Sequence, residues 1–134
     1  IFRILKFRSM YEGSAKYEPS PTSSLDPRLT TVGRLLRRLS LDELPQLVNV
    51  IRGEMSLVGP RPEMPFIVQG YDVAQRRRLS VMPDITGLWQ LSADRAFPIH
   101  ENLEYDLYYV RNRGWFMDLA ILIHTILFAM RGGI

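Results

Sequence analysis

The sequence contains no cysteine, and its only histidines are His100 and His124. Disulfides, thiol catalysis and cysteine-ligated metals are therefore excluded, and two histidines are too few for a histidine-rich zinc site. Long hydrophobic runs are also missing. The longest, Leu119–Met130, is about 12 residues and is interrupted by His124 and Thr125, against the roughly 18–20 that cross a bilayer. A buried or interfacial helix fits it better. No signal peptide is visible. The chain opens at Ile1-Phe2-Arg3, already inside an alternating pattern and without an initiator methionine, so a segment upstream is expected to be missing. Aromatic residues do not interleave with basic ones as a base-stacking platform would, and nucleic-acid binding is not expected.

What is present is a chain of 134 residues, a single domain by size, with 17 basic and 14 acidic residues. The net charge of +3 is small, but the basic residues are clustered. Phe2, Ile4 and Phe7 alternate with Arg3, Lys6 and Arg8, which predicts an edge strand with one cationic side. Residues Glu12 to Pro27, rich in proline and serine, read as a loop. From Thr30 the spacing of Val32, Leu35, Leu36 and Leu39 predicts a helix. Arg34, Arg37 and Arg38 lie on its other side, either as a solvated basic face or as a patch for diphosphate or lipid head groups.

The centre of the chain is Ser40-Leu41-Asp42-Glu43-Leu44-Pro45-Gln46, followed by Ser56-Leu57-Val58-Gly59-Pro60-Arg61-Pro62-Glu63. Leu44, Leu47, Val48 and Ile51 fall at helical spacing, giving an amphipathic helix that ends near Gly53. Its start has two registers: Ser40 as N-cap with Glu43 completing a capping box, or Asp42 as N-cap with Pro45 in the first turn. In either register Asp42 and Glu43 sit at the positive end of the helix dipole, which favours their ionised forms. Carboxylates there are often plain caps. Three arginines before them and Arg61 after them point instead to phosphate chemistry, because a phosphoanhydride must be neutralised before a carboxylate can approach it. The prolines around Arg61 fix the backbone on both sides, which suits a guanidinium meeting a phosphate in a set geometry.

Met55–Val58 reads as a short strand, Phe66–Tyr71 and Asp72–Leu79 as helices, and Leu88–Leu91 as a strand. Arg76, Arg77 and Arg78 are expected on a solvated or membrane-attracted surface. Arg95, in a loop, is a second candidate anion binder. A helix over Glu101–Arg113 puts Leu103, Leu107 and Val110 on one side. Asp106 and Tyr109 lie off that stripe, which leaves Asp106 facing a site or water. Asp118 is placed to cap a last helix, Leu119–Met130, whose apolar residues run nearly all round and must be buried or laid into lipid.

Several of these segments occur together in one bacterial family. Lys6-Phe7-Arg8-Ser9-Met10, the Ser40–Gln46 and Ser56–Glu63 stretches, Thr86-Gly87-Leu88-Trp89-Gln90 and Tyr105-Asp106-Leu107-Tyr108-Tyr109-Val110 stand in the family's order. The chain thereby resembles, over nearly its whole length, the catalytic domain of the monotopic polyprenol-phosphate phosphoglycosyl transferases, or bacterial sugar transferases. The resemblance implies an α+β, helix-rich single domain (1–134) with a few short strands and amphipathic helices facing the membrane interface. It also implies transfer of a sugar-1-phosphate from a UDP-sugar to polyprenol phosphate, with release of UMP, at the cytoplasmic face of the inner membrane. Asp42 is then the nucleophile and a ligand of Mg²⁺, with Glu43 its partner. Arg61 and Arg95 bind phosphate, and Lys6, Arg8, Arg37 and Asp106 are further substrate-binding candidates. The sequence departs from the family where Asp84 replaces a usual glycine, where Ser92-Ala93-Asp94-Arg95 is one residue longer, and in lacking the membrane-inserted helix upstream. The competing expectation, from another class, is a non-catalytic basic module that docks on anionic lipid or another polyanion.

Overall fold

The computed structural model describes residues 1–14, 21, 23, 25–98 and 102–131. Helix α1 spans Thr31–Arg38, and the Thr30 side chain caps it by accepting from the Gly33 amide, a cap worth about 1 kcal/mol. Leu41–Glu43 forms one 3₁₀ turn, α2 spans Gln46–Ile51, and β1 spans Ser56–Val58. Then come α3 (Pro65–Gln69), α4 (Val73–Arg76), a 3₁₀ segment at Arg77–Ser80 and β2 (Asp84–Thr86). Helix α5 (Leu88–Leu91), a 3₁₀ turn at Ala93–Ala96, α6 (Leu103–Asn112) and α7 (Trp115–Met130) complete the described chain. The fold is α+β and helix-rich, as the sequence predicts.

The two strands pair in parallel, Ser56 opposite Asp84 and Val58 opposite Thr86. Parallel neighbours need a crossover, and α3 and α4 supply it. Val58, Tyr109 and Ile121 are buried together, with Leu88, Leu91, Met117 and Leu122 packed around them. The Tyr109 hydroxyl donates to the Val58 carbonyl (3.2 Å) and to Asp118 (2.8 Å), and the Thr86 and Thr125 hydroxyls meet at 2.7 Å. These bonds hold β1 and β2 against α6 and α7. A Cβ at Gly87 would collide with the Gly59 carbonyl and Asp84 Oδ2, so glycine there allows the two strand ends to close up.

Several expectations are corrected. Residues 1–9 form no strand. They make an arm held largely through one side chain: Asn49, fully buried, accepts from the Leu5 amide (3.1 Å) and donates to the Arg3 carbonyl (2.8 Å). Alternation marked the arm as extended, but among the described residues no strand lies beside it to pair with it. Leu88–Leu91 is a helix, and the second strand lies just before it, at Asp84–Thr86. Ala93–Ala96 is a 3₁₀ turn. The last helix starts at Trp115 behind Gly114, so Asp118 lies inside its first turn and receives Tyr109 instead of capping. In α6 the residues fully buried are Asp106 and Tyr109, off the predicted stripe. Much of the Glu12–Pro27 loop (residues 15–20, 22 and 24) and Glu101 of the predicted Glu101–Arg113 helix lie outside the described residues.

Helices α1 and α2 face the opposite way from ordinary surface helices. Gln46 and Asn49 are the buried residues of α2, while Leu47, Val48 and Ile51 are exposed. On α1 the buried residue is Gly33, and Val32, Leu35 and Leu39 are exposed. Gly33 lies so close to the Ser9 backbone that any side chain would clash, which brings the arm onto α1.

Candidate active site

Ser40 adopts a left-handed backbone (φ 55°), rare for a residue with a side chain, and makes no side-chain cap. It turns the chain out of α1 into the Leu41–Glu43 turn. Neither expected register is realised: α2 begins at Gln46, with Pro45 before it, and Asp42 and Glu43 lie on the 3₁₀ turn. The acidic pair therefore owes its electrostatics to side chains and burial.

Glu43 Oε1 takes two cations, Lys6 Nζ at 2.6 Å and Arg61 Nη2 at 2.9 Å. Burial works against its charge, but Arg61 and Lys6 outweigh it and hold the carboxyl down at about 2. Asp42 is buried, and its ionic partner is Arg37, whose Nε lies 3.9 Å from Oδ2, too far for a hydrogen bond. Burial, then the Glu43 charge, raise the Asp42 carboxyl above the ordinary range, with Lys6 and Arg37 opposing. This corrects the expectation that both acids are favoured in ionised form: Glu43 is, and Asp42 is the under-compensated member of the pair.

Each cation is delivered by a different element. Lys6 comes from the arm that Asn49 pins, and the Phe7 amide next to it bonds the Asp42 carbonyl at 2.9 Å. Burial and Arg61 lower the Lys6 ammonium, against the pull of Glu43. Arg37 comes from the last turn of α1 and also donates to Ser9 Oγ at 2.9 Å. Arg61 comes from the Pro60–Pro62 turn that follows β1. Part-buried, it loses some charge stabilisation to desolvation, but Glu43 first and then Asp84 more than restore it and raise the guanidinium.

Lys6, Arg37, Asp42, Glu43 and Arg61 are thus gathered in one cluster. The other predicted residues are engaged elsewhere. Arg8 pairs with Glu12 on the surface, and Arg95 stacks over the Phe128 ring of α7, 4.2 Å from its centroid. Asp106 is corrected: it faces neither a site nor water but is buried against Arg78 at 2.7 Å, and burial pushes its carboxyl up to about 6. Arg78 itself was expected on a solvated surface and is buried, while Arg76 and Arg77 are exposed. Composition could not single it out from its neighbours.

As to a metal, no three carboxylate or imidazole side chains converge among the described residues. Mg²⁺ does not require such a cluster, since one or two carboxylates with substrate phosphates and water commonly hold it. The under-compensated Asp42 carboxylate is the group with charge to spare for it.

The acid pair thus stands beside a held guanidinium on a small, helix-rich α+β domain. The chain belongs to the bacterial sugar transferase family, which it matches over residues 1–132. It is similar to the exopolysaccharide production protein ExoY of Sinorhizobium fredii (43% identical, over 93% of this chain and 62% of the relative). It is also similar to an undecaprenyl-phosphate glucose phosphotransferase of Komagataeibacter xylinus (41% identical, over 93% of this chain and 26% of the relative). A third relative is an undecaprenyl-phosphate galactose phosphotransferase of Salmonella typhimurium (38% identical, over 98% of this chain and 31% of the relative). The chain thus spans less than two thirds of the length of these relatives.

Proposed function

We propose that this domain transfers a sugar-1-phosphate from a UDP-sugar to a membrane polyprenol phosphate, the first step in assembling a surface glycan or exopolysaccharide. The observation that carries this reading is the unequal acid pair: Glu43 saturated by Lys6 and Arg61, and Asp42 beside it with a carboxylate left over. The names of the relatives agree with it.

An Asp42 oxygen attacks the sugar-bearing phosphorus of the donor. A carboxyl–phosphorus bond forms, the bond to the bridging oxygen of the diphosphate breaks, and UMP departs with the electron pair. An oxygen of polyprenol phosphate then attacks the same phosphorus, and the Asp42 carboxylate is released. Two half-reactions at one carboxylate give ping-pong kinetics. Arg61 binds the diphosphate, and Glu43 holds Arg61 and Lys6 in place for it. Mg²⁺, held by Asp42, would supply charge neutralisation on the diphosphate.

A donor in water and an acceptor in lipid call for a site at a membrane surface. The outward-facing Val32, Leu35 and Leu39 of α1 and Leu47, Val48 and Ile51 of α2 support such a seat, with exposed Arg34 and Arg38 for anionic head groups. Trp115, Phe116 and Ile126 of α7 are exposed as well. Among the described residues no helix is long and apolar enough to cross a membrane. We place the domain on the cytoplasmic face of the inner membrane, where UDP-sugars are found.

The test is a panel of UDP-sugars with detergent-solubilised polyprenol phosphate and Mg²⁺, read as UMP release. Mg²⁺-dependent release from one donor supports the enzyme. Salt-sensitive binding to anionic vesicles with no release from any donor would make the domain the non-catalytic basic module.

A further inference from the structure

Arg78 is the last of three consecutive arginines, and it turns inward to 2% exposure. Its Nη1 donates to Glu63 Oε2 and to the Tyr71 hydroxyl, each at 2.6 Å, and its Nη2 donates to the Arg61 carbonyl at 2.6 Å. Asp106 Oδ2 lies 2.7 Å from Nη2, an ionic contact without hydrogen-bond alignment. The Tyr71 hydroxyl also bonds Glu63. One guanidinium therefore grips the backbone of residue 61 and the side chain of residue 63, on either side of Pro62.

Pro60 and Pro62 lock their own φ angles, and the Asp84 amide holds the Pro60 carbonyl at 3.1 Å. Pro62 confines the ψ of Arg61 to the extended region, but within that region the tilt of the peptide plane after Arg61 is still free. A donor on its carbonyl sets it, and with it the direction in which the Arg61 side chain leaves the turn. We propose that Arg78 is a positioning residue: by clamping the Arg61 carbonyl from behind, it aims the Arg61 guanidinium at Glu43 and at the diphosphate. Lysine could not do the same work, because a single ammonium lacks the planar fork that reaches a carbonyl and a carboxylate in fixed directions at once. The proposal rests on the reading of Arg61 as the phosphate binder.

The test is a double-mutant cycle of Arg78→Lys and Arg61→Lys, with UMP release as the activity and thermal unfolding measured on each protein. Arg78→Lys alone is expected to lower kcat/KM by about 10²-fold, the cost of a misplaced binding group. In the Arg61→Lys background its further effect is expected to shrink to less than about threefold, because two residues acting through one contact are not additive. Losses that multiply, or a fully active Arg78→Lys, overturn the proposal. Should Arg78→Lys fail to fold, Glu63→Ala, which removes the acceptor that orients Nη1 and so loosens Arg78 on the Arg61 carbonyl, takes its place in the cycle with the same criterion. A wild type that releases no UMP overturns the proposed function. The clamp is then judged by NMR of the Arg61 Nε–H signal: broadening in the clamp variant supports it, and an unchanged signal overturns it.

Discussion

Two charged clusters stand back to back across the Pro60–Pro62 turn, and they are built on opposite principles. Behind the turn, Arg78 is surrounded by Glu63, Asp106, Tyr71 and a backbone carbonyl, all sealed from water. In front of it, Lys6, Arg37, Arg61 and Glu43 leave Asp42, among the described residues, with a cation no nearer than 3.9 Å. Charge enclosed among its partners and sealed from water offers a ligand no way in; it fixes geometry. Charge left partly unanswered raises the energy of the empty site, and a ligand that answers it recovers that energy. The same residue types therefore support the backbone in one place and form the candidate site in the other.

If the front cluster is the reacting one, its under-compensated acid is the most sensitive point. Asp42→Asn is expected to lower UMP release on the order of 10⁴-fold or more, the scale of losing a nucleophile. Its unfolding temperature is expected to match or exceed that of the wild type, because the replaced carboxylate is one that burial disfavours. Activity retained in Asp42→Asn would remove that carboxylate from the mechanism. The rear cluster should break in the opposite way. Arg78→Met leaves Glu63 and Asp106 buried without their cation and should cost about 3–5 kcal/mol in urea unfolding. Little loss there would mean the cluster is not sealed. Arg61→Lys keeps the charge but loses the fork, and should reduce kcat/KM by about 10²-fold with little change in stability. A stability loss as large as that of Arg78→Met would erase the distinction between front and back.

The sequence was most legible where local rules act alone. Thr30 and the leucine spacing located α1, and the motif order led to the family. Asp42, Glu43 and Arg61 were named together from charge and rigidity, and the structure brings them together. It was least legible where long-range contacts override local pattern. The arm at residues 1–9 has a strand's alternation but is held by Asn49, 44 residues from Leu5. Helix α2 has a clean apolar stripe, yet tertiary packing buries Gln46 and Asn49 instead. Periodicity reports that a helix has two faces; it does not say which one meets the protein. The inward turn of Arg78, from a run that looked solvated, has the same cause, since its partners lie on other elements.

The smallest effect concerns protons. Burial, against the pull of Arg78, moves the Asp106 carboxyl from an ordinary 3.8 to about 6. Between those values the folded protein holds a proton that the unfolded chain has lost. Stability from this group is therefore full at the acidic end and falls as pH rises toward 6, by at most about 3 kcal/mol for a shift of about two units. Glu43 acts with the other sign. Held at about 2 against an ordinary 4.5, it stabilises the fold above 4.5, and that contribution is lost as pH falls toward 2. Asp106→Asn keeps an acceptor beside Arg78 and leaves Glu63 as its counter-ion, so the variant should fold. Urea unfolding from pH 4 to 7 should then show a flatter slope in Asp106→Asn than in the wild type, while the loss of stability from pH 4.5 downward, to which Glu43 and Asp26 both contribute, should be unchanged. An unaltered slope from pH 4 to 6 would mean that Asp106 is ionised throughout and that Arg78 fully answers both acids.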